Sequence, residues 1–338
     1  MRVEAYSRLH FGLLEIHPKA PCCFGGIGLM IDKPSVRLSI SGVSIGPDQE
    51  AYGHEFDPCA DWNDLYWKER FLKVHLGFRS RTHCSDLYRV RLEHAPSPHV
   101  GLGSGTQFAC AASAILNAAS NERFNAPSRV SSQRLDQALT IDSGRGLRSH
   151  VGLYGFLYGQ MLIDRGEALD ASARGEPRTI VQGFPESWPI VLIHEEIYRG
   201  DSGASEQAIF DACSKRENPN RERMLELISE QIVPALDSED LPAFAEAIGR
   251  YGELAGGIFS RAVGDAYRTP RIRYWVDRLR ALGFEGVGQS SWGPVVFVMV
   301  QDDQQAQWLL DRIRPDLLAG GWAKAAKVAG PASVTSIR

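Results

Sequence analysis

The most informative segment of the sequence is Gly101-Leu102-Gly103-Ser104-Gly105-Thr106-Gln107. It follows a predicted strand at 88–92 and a proline-rich break, and it precedes 108–119, an alanine-rich segment without glycine or proline that is predicted to be a helix. Glycines let a backbone aim its N–H groups at an anion, and a helix N-terminus adds roughly half a positive charge. The sequence therefore predicts a phosphate-binding loop, with the hydroxyls of Ser104 and Thr106 available to a phosphate or to Mg²⁺.

The loop differs from two common nucleotide-binding patterns. No Gly-Lys-Ser/Thr follows it, so it is not a Walker A loop, and Thr106 stands where the dinucleotide fingerprint has its third glycine. On the loop alone, a glycine-rich turn ahead of a core helix remains the alternative.

Length and composition restrict the class of protein. A chain of 338 residues suits two domains, which we place at 1–184 and 185–338. A net charge of −4 does not resemble the basic footprint of a nucleic-acid binder. The six cysteines include no Cys-x-x-Cys pair, which favours a reduced, cytosolic protein. We expect no signal peptide, because the N-terminal sequence MRVEAYSRLH lacks an apolar core after its charge. We also expect no membrane span, because no run of about 18 apolar residues occurs.

Strands and helices mix without the strict alternation of a parallel sheet, which favours an α+β fold. Strands are predicted at 1–6, 36–40, 88–92, 189–194, 294–300 and 327–337. Further helices are predicted at 62–78, 131–140, 205–213, 221–236, 241–259, 271–282 and 304–313.

Three other segments are candidates for a site. Arg145 and Arg148 flank glycines and could bind an anion through their forked guanidinium groups, although a surface arginine pair is an equal alternative. The segment 286–294 places Trp292 in a glycine-rich turn where it could stack on a ring, although an ordinary connection with a core tryptophan is the alternative. Arg8 and His10 follow the first strand, and a lone histidine such as His10 or His99 is more often a satisfied structural residue.

Together, these segments resemble known families. Residues 98–107 resemble the second motif of the GHMP kinase superfamily, which includes galactokinase, homoserine kinase and mevalonate kinase, and 286–294 resemble its C-terminal glycine motif. The closer resemblance is to β-ribofuranosylaminobenzene 5′-phosphate synthases. It is carried, in the family's order, by 7–13 (SRLHFGL), 24–29 (FGGIGL), 144–152 (GRGLRSHVG) and 288–294 (GQSSWGP).

The resemblance implies a fold and a reaction. The fold would be α+β and GHMP-kinase-like, with an N-terminal domain resembling domain 2 of ribosomal protein S5 and a ferredoxin-like C-terminal domain. The reaction would join 5-phosphoribosyl 1-diphosphate to 4-aminobenzoate, with release of diphosphate and CO₂, as the first committed step toward tetrahydromethanopterin. The resemblance also implies Mg²⁺, small-molecule substrates and a homodimer, and it leaves open 4-hydroxybenzoate as the acceptor.

The resemblance also implies roles for individual residues. Arg8, His10, Arg145 and Arg148 would be catalytic, and Ser104 would reach Mg²⁺. The substrate-binding residues would be Gly26, Gly101, Leu102, Gly103, Ser104, Gly105, Thr106, Gln107, Ser149, Gln289, Ser290, Ser291 and Trp292, with Trp292 on the aromatic ring.

Two alternatives share the fold. Kinases of the superfamily often carry a catalytic aspartate in the segment that corresponds to 152–156, which here reads GLYGF and contains no acid. This departure disfavours a small-molecule kinase. A non-catalytic nucleotide-sensing member would be expected to have a degraded phosphate loop, whereas this loop is intact.

Overall fold

The computed structural model describes residues 1–17, 22–42, 55–57, 65–84, 86–123, 132–144, 150–168, 179–195, 211–215 and 217–336. The strands are β1 (Arg2–Glu15), β2 (Cys22–Gly42), β3 (Glu55–Phe56), β4 (Tyr88–His94), β5 (Met161–Asp164), β6 (Glu167–Ala168), β7 (Thr179–Gln182), β8 (Ile190–His194), β9 (Val287–Gln289), β10 (Val296–Met299), β11 (Trp322–Ala326) and β12 (Ser333–Thr335). The helices are α1 (Leu65–Thr82), α2 (Ser104–Arg123), α3 (Ser132–Ser143), α4 (Val151–Tyr158), α5 (Arg221–Leu227), α6 (Val233–Asp237), α7 (Leu241–Val263), α8 (Pro270–Ala281) and α9 (Asp303–Ile313).

The larger sheet runs in the order β12-β1-β2-β4-β3; in addition, β5 and β6 pair with β2, and β7 pairs with β5. The alternation predicted for β4 is confirmed, because Tyr88, Val90 and Leu92 are buried while Arg89 and Arg91 are exposed. Helices α1 and α2 cover one face of this sheet, and their apolar side chains share a core with those of β4.

The first strand is much longer than the predicted 1–6, because β1 pairs with β2 over almost its whole length. Register shifts at Tyr6/Ser7 and at His10/Gly12 interrupt the pairing, and each shift re-aims the side chains that follow. The glycine-rich segment at 24–29 therefore lies within a strand. Gly12 lets α7 approach β1, since a Cβ at this position would lie 2.2 Å from the Cβ of Ala255.

The smaller sheet runs in the order β11-β8-β10-β9. This is the 4-1-3-2 order of a ferredoxin-like β-α-β-β-α-β unit, as predicted. Helices α8 and α9 pack on one face, where Trp275, Val276 and Leu309 are buried. The other face packs against the larger sheet, and Phe297 of β10 meets Phe11 of β1 with ring centroids 5.0 Å apart.

Two sequence-based predictions need correction in the C-terminal half. The helix predicted at 221–236 is interrupted by a π-helical turn, Ile228–Ile232, before Pro234 at the start of α6. Proline has no N–H to offer the preceding turn, and a π-helical turn accommodates that missing hydrogen bond. The strand predicted at 327–337 is wrong in extent, because Gly330-Pro331 separates β11 from β12, and β12 pairs with β1.

Several predictions fall on parts of the chain that the structure does not describe. Residues 205–210 of one predicted helix and the side chains of Cys22, Cys23 and Cys59 lie outside the described residues. The three cysteines whose side chains are described, Cys84, Cys110 and Cys213, are not in disulfide bonds. Over the described ranges, no helix combines the length and the apolar composition that crossing a membrane requires. The division near residue 185 stays a prediction.

Candidate active site

The predicted phosphate loop forms a turn that leads directly into α2. Gly101 and Gly103 adopt positive φ angles of 86° and 67°, which glycine tolerates at little cost. The carbonyl of Gly103 accepts hydrogen bonds from the N–H groups of Thr106 and Gln107. The N–H groups of Ser104 and Gly105 donate to no acceptor among the described residues, so they are available to an anion at the helix N-terminus.

Some loop residues anchor the loop in the protein, and others remain partly exposed to solvent. Leu102 is fully buried in the core, and the amide of Gln107 donates to the carbonyl of Gly152 over 2.8 Å. The side chain of Ser104 is also buried, with its hydroxyl 3.5 Å from the carbonyl oxygen of Ser97. The remaining loop residues keep partial exposure: Gly101, Gly103, Gly105 and Thr106.

Arg8 of β1 extends from the strand to the phosphate loop. Its backbone N–H donates to the carbonyl of Leu102 over 2.9 Å. Its guanidinium lies beside Gly103 and Gly152, because a Cβ on either glycine would stand 3.3 Å from Nε and 3.0 Å from Nη1, respectively. Nε is buried and has no hydrogen-bond partner among the residues that the structure describes. Although the side chain keeps some exposure, the surrounding protein lowers the pKa of Arg8 to about 10, so it is still a cation at neutral pH.

His10 lies two residues further along β1, between the loop and the third motif. Its Nδ1 accepts a hydrogen bond from the N–H of Gly12 over 3.2 Å, which places the proton of the neutral ring on Nε2. Burial, and then the charge of Arg8, hold the pKa of His10 well below its ordinary 6.5. Gly26 on β2 allows this arrangement, because a Cβ there would lie 2.9 Å from Cε1 of His10.

The third motif is fastened to both of the other segments. The Ser290 hydroxyl donates to the carbonyl of Gly101 over 2.7 Å and accepts from the backbone N–H of His10 over 3.2 Å. The N–H of Ser291 donates to the carbonyl of His10 over 2.6 Å. The Gln289 side chain shapes the turn by accepting from the N–H of Arg268 and donating to the carbonyl of Ser291. Three segments that the sequence singled out therefore converge at one place.

Trp292 occupies a packed position at the edge of this site. Its ring stacks on Phe259 with centroids 4.2 Å apart, and Ile16 and Ile258 belong to the same buried cluster. One ring face is therefore covered by protein, and stacking of the other face on a substrate ring stays a prediction. His99, next to the loop, is exposed and packs edge-on against Tyr66.

Arg145, Arg148 and Ser149 lie outside the described residues, and their predicted roles stay predictions. The described chain resumes at His150 and enters α4, whose Gly152 contacts both Arg8 and Thr106.

One loop contact was not predicted from the sequence. Arg70 of α1 donates through Nε to the carbonyl of Gly105 over 2.7 Å and through Nη1 to the hydroxyl of Tyr66 over 3.1 Å. Nothing in the spacing of α1 distinguishes Arg70 from a surface arginine of an ordinary helix.

Comparisons with known proteins agree with this geometry. A family described as GHMP kinases C terminal matches residues 232–316. The chain is 26% identical to a β-ribofuranosylphenol 5′-phosphate synthase of Methanothermobacter thermautotrophicus, over 89% of this chain and 88% of the relative. It is 24% identical to a protein of the same name from Methanocaldococcus jannaschii, over 88% of each chain.

Solved structures share the fold. Homoserine kinase from Cytophaga hutchinsonii superposes with a TM-score of 0.65 at 15% identity, covering 99% of this chain and 97% of the kinase. L. major mevalonate kinase, in a complex with R-mevalonate, superposes with a TM-score of 0.65 at 13% identity, covering 97% of this chain and 96% of the kinase. At these identities the likeness shows the fold alone.

The two sheets, the loop ahead of α2 and the motif that fastens it define a member of the GHMP kinase superfamily. Within that superfamily, its curated relatives over nearly the whole chain are β-ribofuranosylphenol 5′-phosphate synthases, and this similarity supports the same family and an enzyme of this kind.

Proposed function

We propose that this enzyme is a decarboxylating phosphoribosyltransferase. It would transfer ribose 5-phosphate from 5-phosphoribosyl 1-diphosphate to a 4-substituted benzoate and release diphosphate and CO₂. The sequence resemblance implies 4-aminobenzoate as the acceptor, whereas the names of the curated relatives refer to a ribofuranosylphenol and favour 4-hydroxybenzoate. Both acceptors carry an electron-donating group opposite the carboxylate, so the same chemistry applies to each.

The observation that carries this proposal is the position of Arg8 against Gly152. A side chain at Gly152 would meet Nη1 of Arg8 and Cγ2 of Thr106, each 3.0 Å from its Cβ. An acid at this position, in the segment where superfamily kinases often carry one, would lie against the guanidinium and neutralise its charge. The space beside Gly152 holds the guanidinium of Arg8 instead. A positive charge there suits a reaction in which diphosphate leaves better than a kinase reaction in which a base removes a proton from a hydroxyl.

The reaction balances without a net proton. The bond from C1 of ribose to the diphosphate oxygen breaks, and its electron pair leaves with diphosphate. The ring carbon that bears the carboxylate forms a bond to C1. The bond from that carbon to the carboxylate then breaks, CO₂ leaves, and the electron pair restores the aromatic ring.

The residues at the loop suit the first of these steps. The N–H groups of Ser104 and Gly105 and the guanidinium of Arg8 would stabilise the negative charge that develops on diphosphate. A neutral His10 would offer Nε2–H to a hydroxyl or carboxylate oxygen of a reactant. Because Ser290 and Ser291 hold the backbone of His10 and the N–H of Gly12 holds its ring, the imidazole would position a reactant without moving.

The donor atoms of the loop suit Mg²⁺ only as part of a complex with the substrate. Over the described residues, no group of three or more histidine, cysteine or acidic side chains could hold a metal ion. The oxygen donors on the loop are the partly exposed hydroxyl of Thr106 and the buried hydroxyl of Ser104, which lies 3.5 Å from the Ser97 carbonyl oxygen. Mg²⁺ is commonly held by few protein ligands together with waters and substrate phosphates. These residues therefore fit Mg²⁺ delivered as a diphosphate complex, where it would supply additional positive charge.

The test measures products and stoichiometry. The purified protein is incubated with 5-phosphoribosyl 1-diphosphate, Mg²⁺ and carboxyl-labelled 4-aminobenzoate or 4-hydroxybenzoate. We expect labelled CO₂ and diphosphate in equal amounts, and the acceptor with the larger kcat/KM identifies the benzoate. If neither acceptor releases CO₂, or if ATP with a small alcohol yields ADP instead, the proposal is wrong.

A pair of variants connects the reaction to the site. Arg8→Gln should lower kcat/KM by about 100-fold or more, because a preorganised donor to the leaving group is lost. Arg79→Gln, on the exposed last turn of α1, is the matched control and should retain the wild-type rate.

Three wider features are part of the same proposal and rest on the family resemblance. They are a cytosolic location, a homodimer, and a place at the first committed step toward tetrahydromethanopterin.

A further inference from the structure

Arg70 lies against the phosphate loop at a different point from Arg8. Its Nε donates to the carbonyl of Gly105, its Nη1 donates to the hydroxyl of Tyr66, and its guanidinium lies 5.4 Å from the centre of the Tyr66 ring. A Cβ on Gly105 would stand 3.3 Å from Cζ and 3.4 Å from Nη2 of Arg70. Nη2 therefore lies beside the first turn of α2 while the other guanidinium nitrogens hold the group in place.

The charge at this point has no counter-charge in the described protein. Neither Arg70 nor Arg8 forms an ion pair with a carboxylate among the residues that the structure describes, and Nη2 of Arg70 donates to none of those residues. Burial lowers the pKa of Arg70 because the protein replaces water around the charge. A helix N-terminus carries partial positive charge, so a cation beside it is unfavourable unless an anion is bound there.

The two arginines mark two points along one loop. Arg8 contacts Gly103, and Arg70 contacts Gly105, two residues further into α2. The free N–H groups of Ser104 and Gly105 belong to the same turn. A single phosphate group can face one of these cations, whereas a diphosphate has a second phosphoryl group to face the other.

We propose that Arg70 binds the second phosphoryl group of the diphosphate, so that the loop selects a diphosphate over a single phosphate. This inference rests on the proposed function only for the identity of the leaving group. It assigns a specificity-determining role to a residue of α1, held in orientation by Tyr66.

A purely structural role for Arg70 makes a different prediction. If Arg70 only supported the loop through the carbonyl of Gly105, its loss would weaken the binding of phosphate and of diphosphate by the same factor. If Nη2 contacts the second phosphoryl group, the loss of Arg70 would weaken the binding of diphosphate and leave the binding of phosphate unchanged. The ratio of the two affinities therefore separates the roles.

The experiment is isothermal titration of the full-length protein with inorganic phosphate and with inorganic diphosphate. The variants are Arg70→Gln, Arg70→Lys and Tyr66→Phe, with Arg79→Gln as the matched control on the same helix. Losing a charge-assisted hydrogen bond should lower the preference for diphosphate over phosphate by about 10- to 100-fold in Arg70→Gln. Arg70→Lys should recover part of that preference, Tyr66→Phe should lose less of it, and Arg79→Gln should keep it.

Each outcome of the titrations either supports or overturns the proposed role of Arg70. An unchanged preference in Arg70→Gln overturns the inference, whether or not both affinities fall together, and so does a wild-type protein that binds no diphosphate. If Arg70→Gln does not fold, an unchanged preference for diphosphate over phosphate in both Arg70→Lys and Tyr66→Phe also overturns the inference. Release of CO₂ is measured on the same preparations. An Arg70-dependent preference without CO₂ release would contradict the proposed function alone, and CO₂ release with an unchanged preference would contradict this inference alone.

Discussion

Gly101 and Gly293 cross in backbone contact. A Cβ on Gly293 would lie 2.3 Å from the Cα of Gly101, and a Cβ on Gly101 would lie 2.9 Å from the Cα of Gly293. The neighbouring bond from Ser290 to the Gly101 carbonyl fixes the same crossing. The phosphate loop and the third motif therefore share one rigid junction, and substitutions there should affect stability and activity together.

Gly293→Ala should destabilise the protein and reduce its activity. The added methyl group would meet backbone rather than a flexible side chain, so the two segments must separate, at a cost of about 1–3 kcal/mol. Thermal unfolding and kcat/KM measure the two effects. Gly183→Ala is the control, because no atom of the described residues lies within 4 Å of a Cβ at that position. Wild-type unfolding and kcat/KM in Gly293→Ala would contradict the close crossing.

Ser290→Ala should cost about 2 kcal/mol or more of unfolding free energy, because a buried donor and a buried acceptor each lose their partner. The affected groups are the N–H of His10 and the carbonyl of Gly101. Urea denaturation measures the change, and Ser229→Ala on an exposed helical turn is the control. A loss no larger than in the control would show that Ser290 does not fasten the loop.

Gly152→Asp should abolish turnover with the ribosyl donor. The new carboxylate would lie against Nη1 of Arg8 and would neutralise the charge that is meant for the leaving group. Gly152→Ala, which adds bulk without charge, should weaken diphosphate binding by a smaller factor. Titration with diphosphate and the CO₂ assay measure both variants. Normal turnover in Gly152→Asp would contradict the role of Arg8.

The pH dependence of stability should contain a contribution from His10. Its folded pKa lies well below the ordinary 6.5, so between these two values the unfolded chain binds more protons than the folded one. Stability therefore falls as the pH decreases below about 6.5, by at most about 1.4 kcal/mol per pH unit from this group. His10→Gln should remove this share of the slope, as measured by urea denaturation between pH 5 and pH 7.5. Identical slopes in the two proteins would show that His10 does not titrate as described.

The parts of the site that could be predicted from the sequence are those with a recognisable glycine pattern. Loop 101–107, the first-strand segment with Arg8 and His10, and 286–294 all meet in the structure, because each contains glycines or polar residues that a buried strand or helix would not otherwise need. Arg70 could not be found in this way. It reaches the loop from a helix 35 residues earlier, and the packing of α1 on α2 alone brings the two together.

Some elements of the fold were predicted accurately from the sequence and others were not. Helices α8 and α9 match their predicted bounds closely, since both begin with a capping residue, Thr269 or Asp302. The length of β1 was missed because glycines and register shifts conceal its alternation. The π-helical turn was missed because the apolar pattern continues unbroken through Pro234.

The hydrogen bond between His10 and Ser290 spans 280 positions of the chain, and β12 returns from the C-terminal end to pair with β1. On the ribosome, the loop and its helix emerge long before the segment that fastens them. Contacts between such distant segments form late in folding. A nascent chain would therefore present an unfastened loop until the segment that contains Ser290 has been made, and only after that could the loop hold a substrate in its folded geometry.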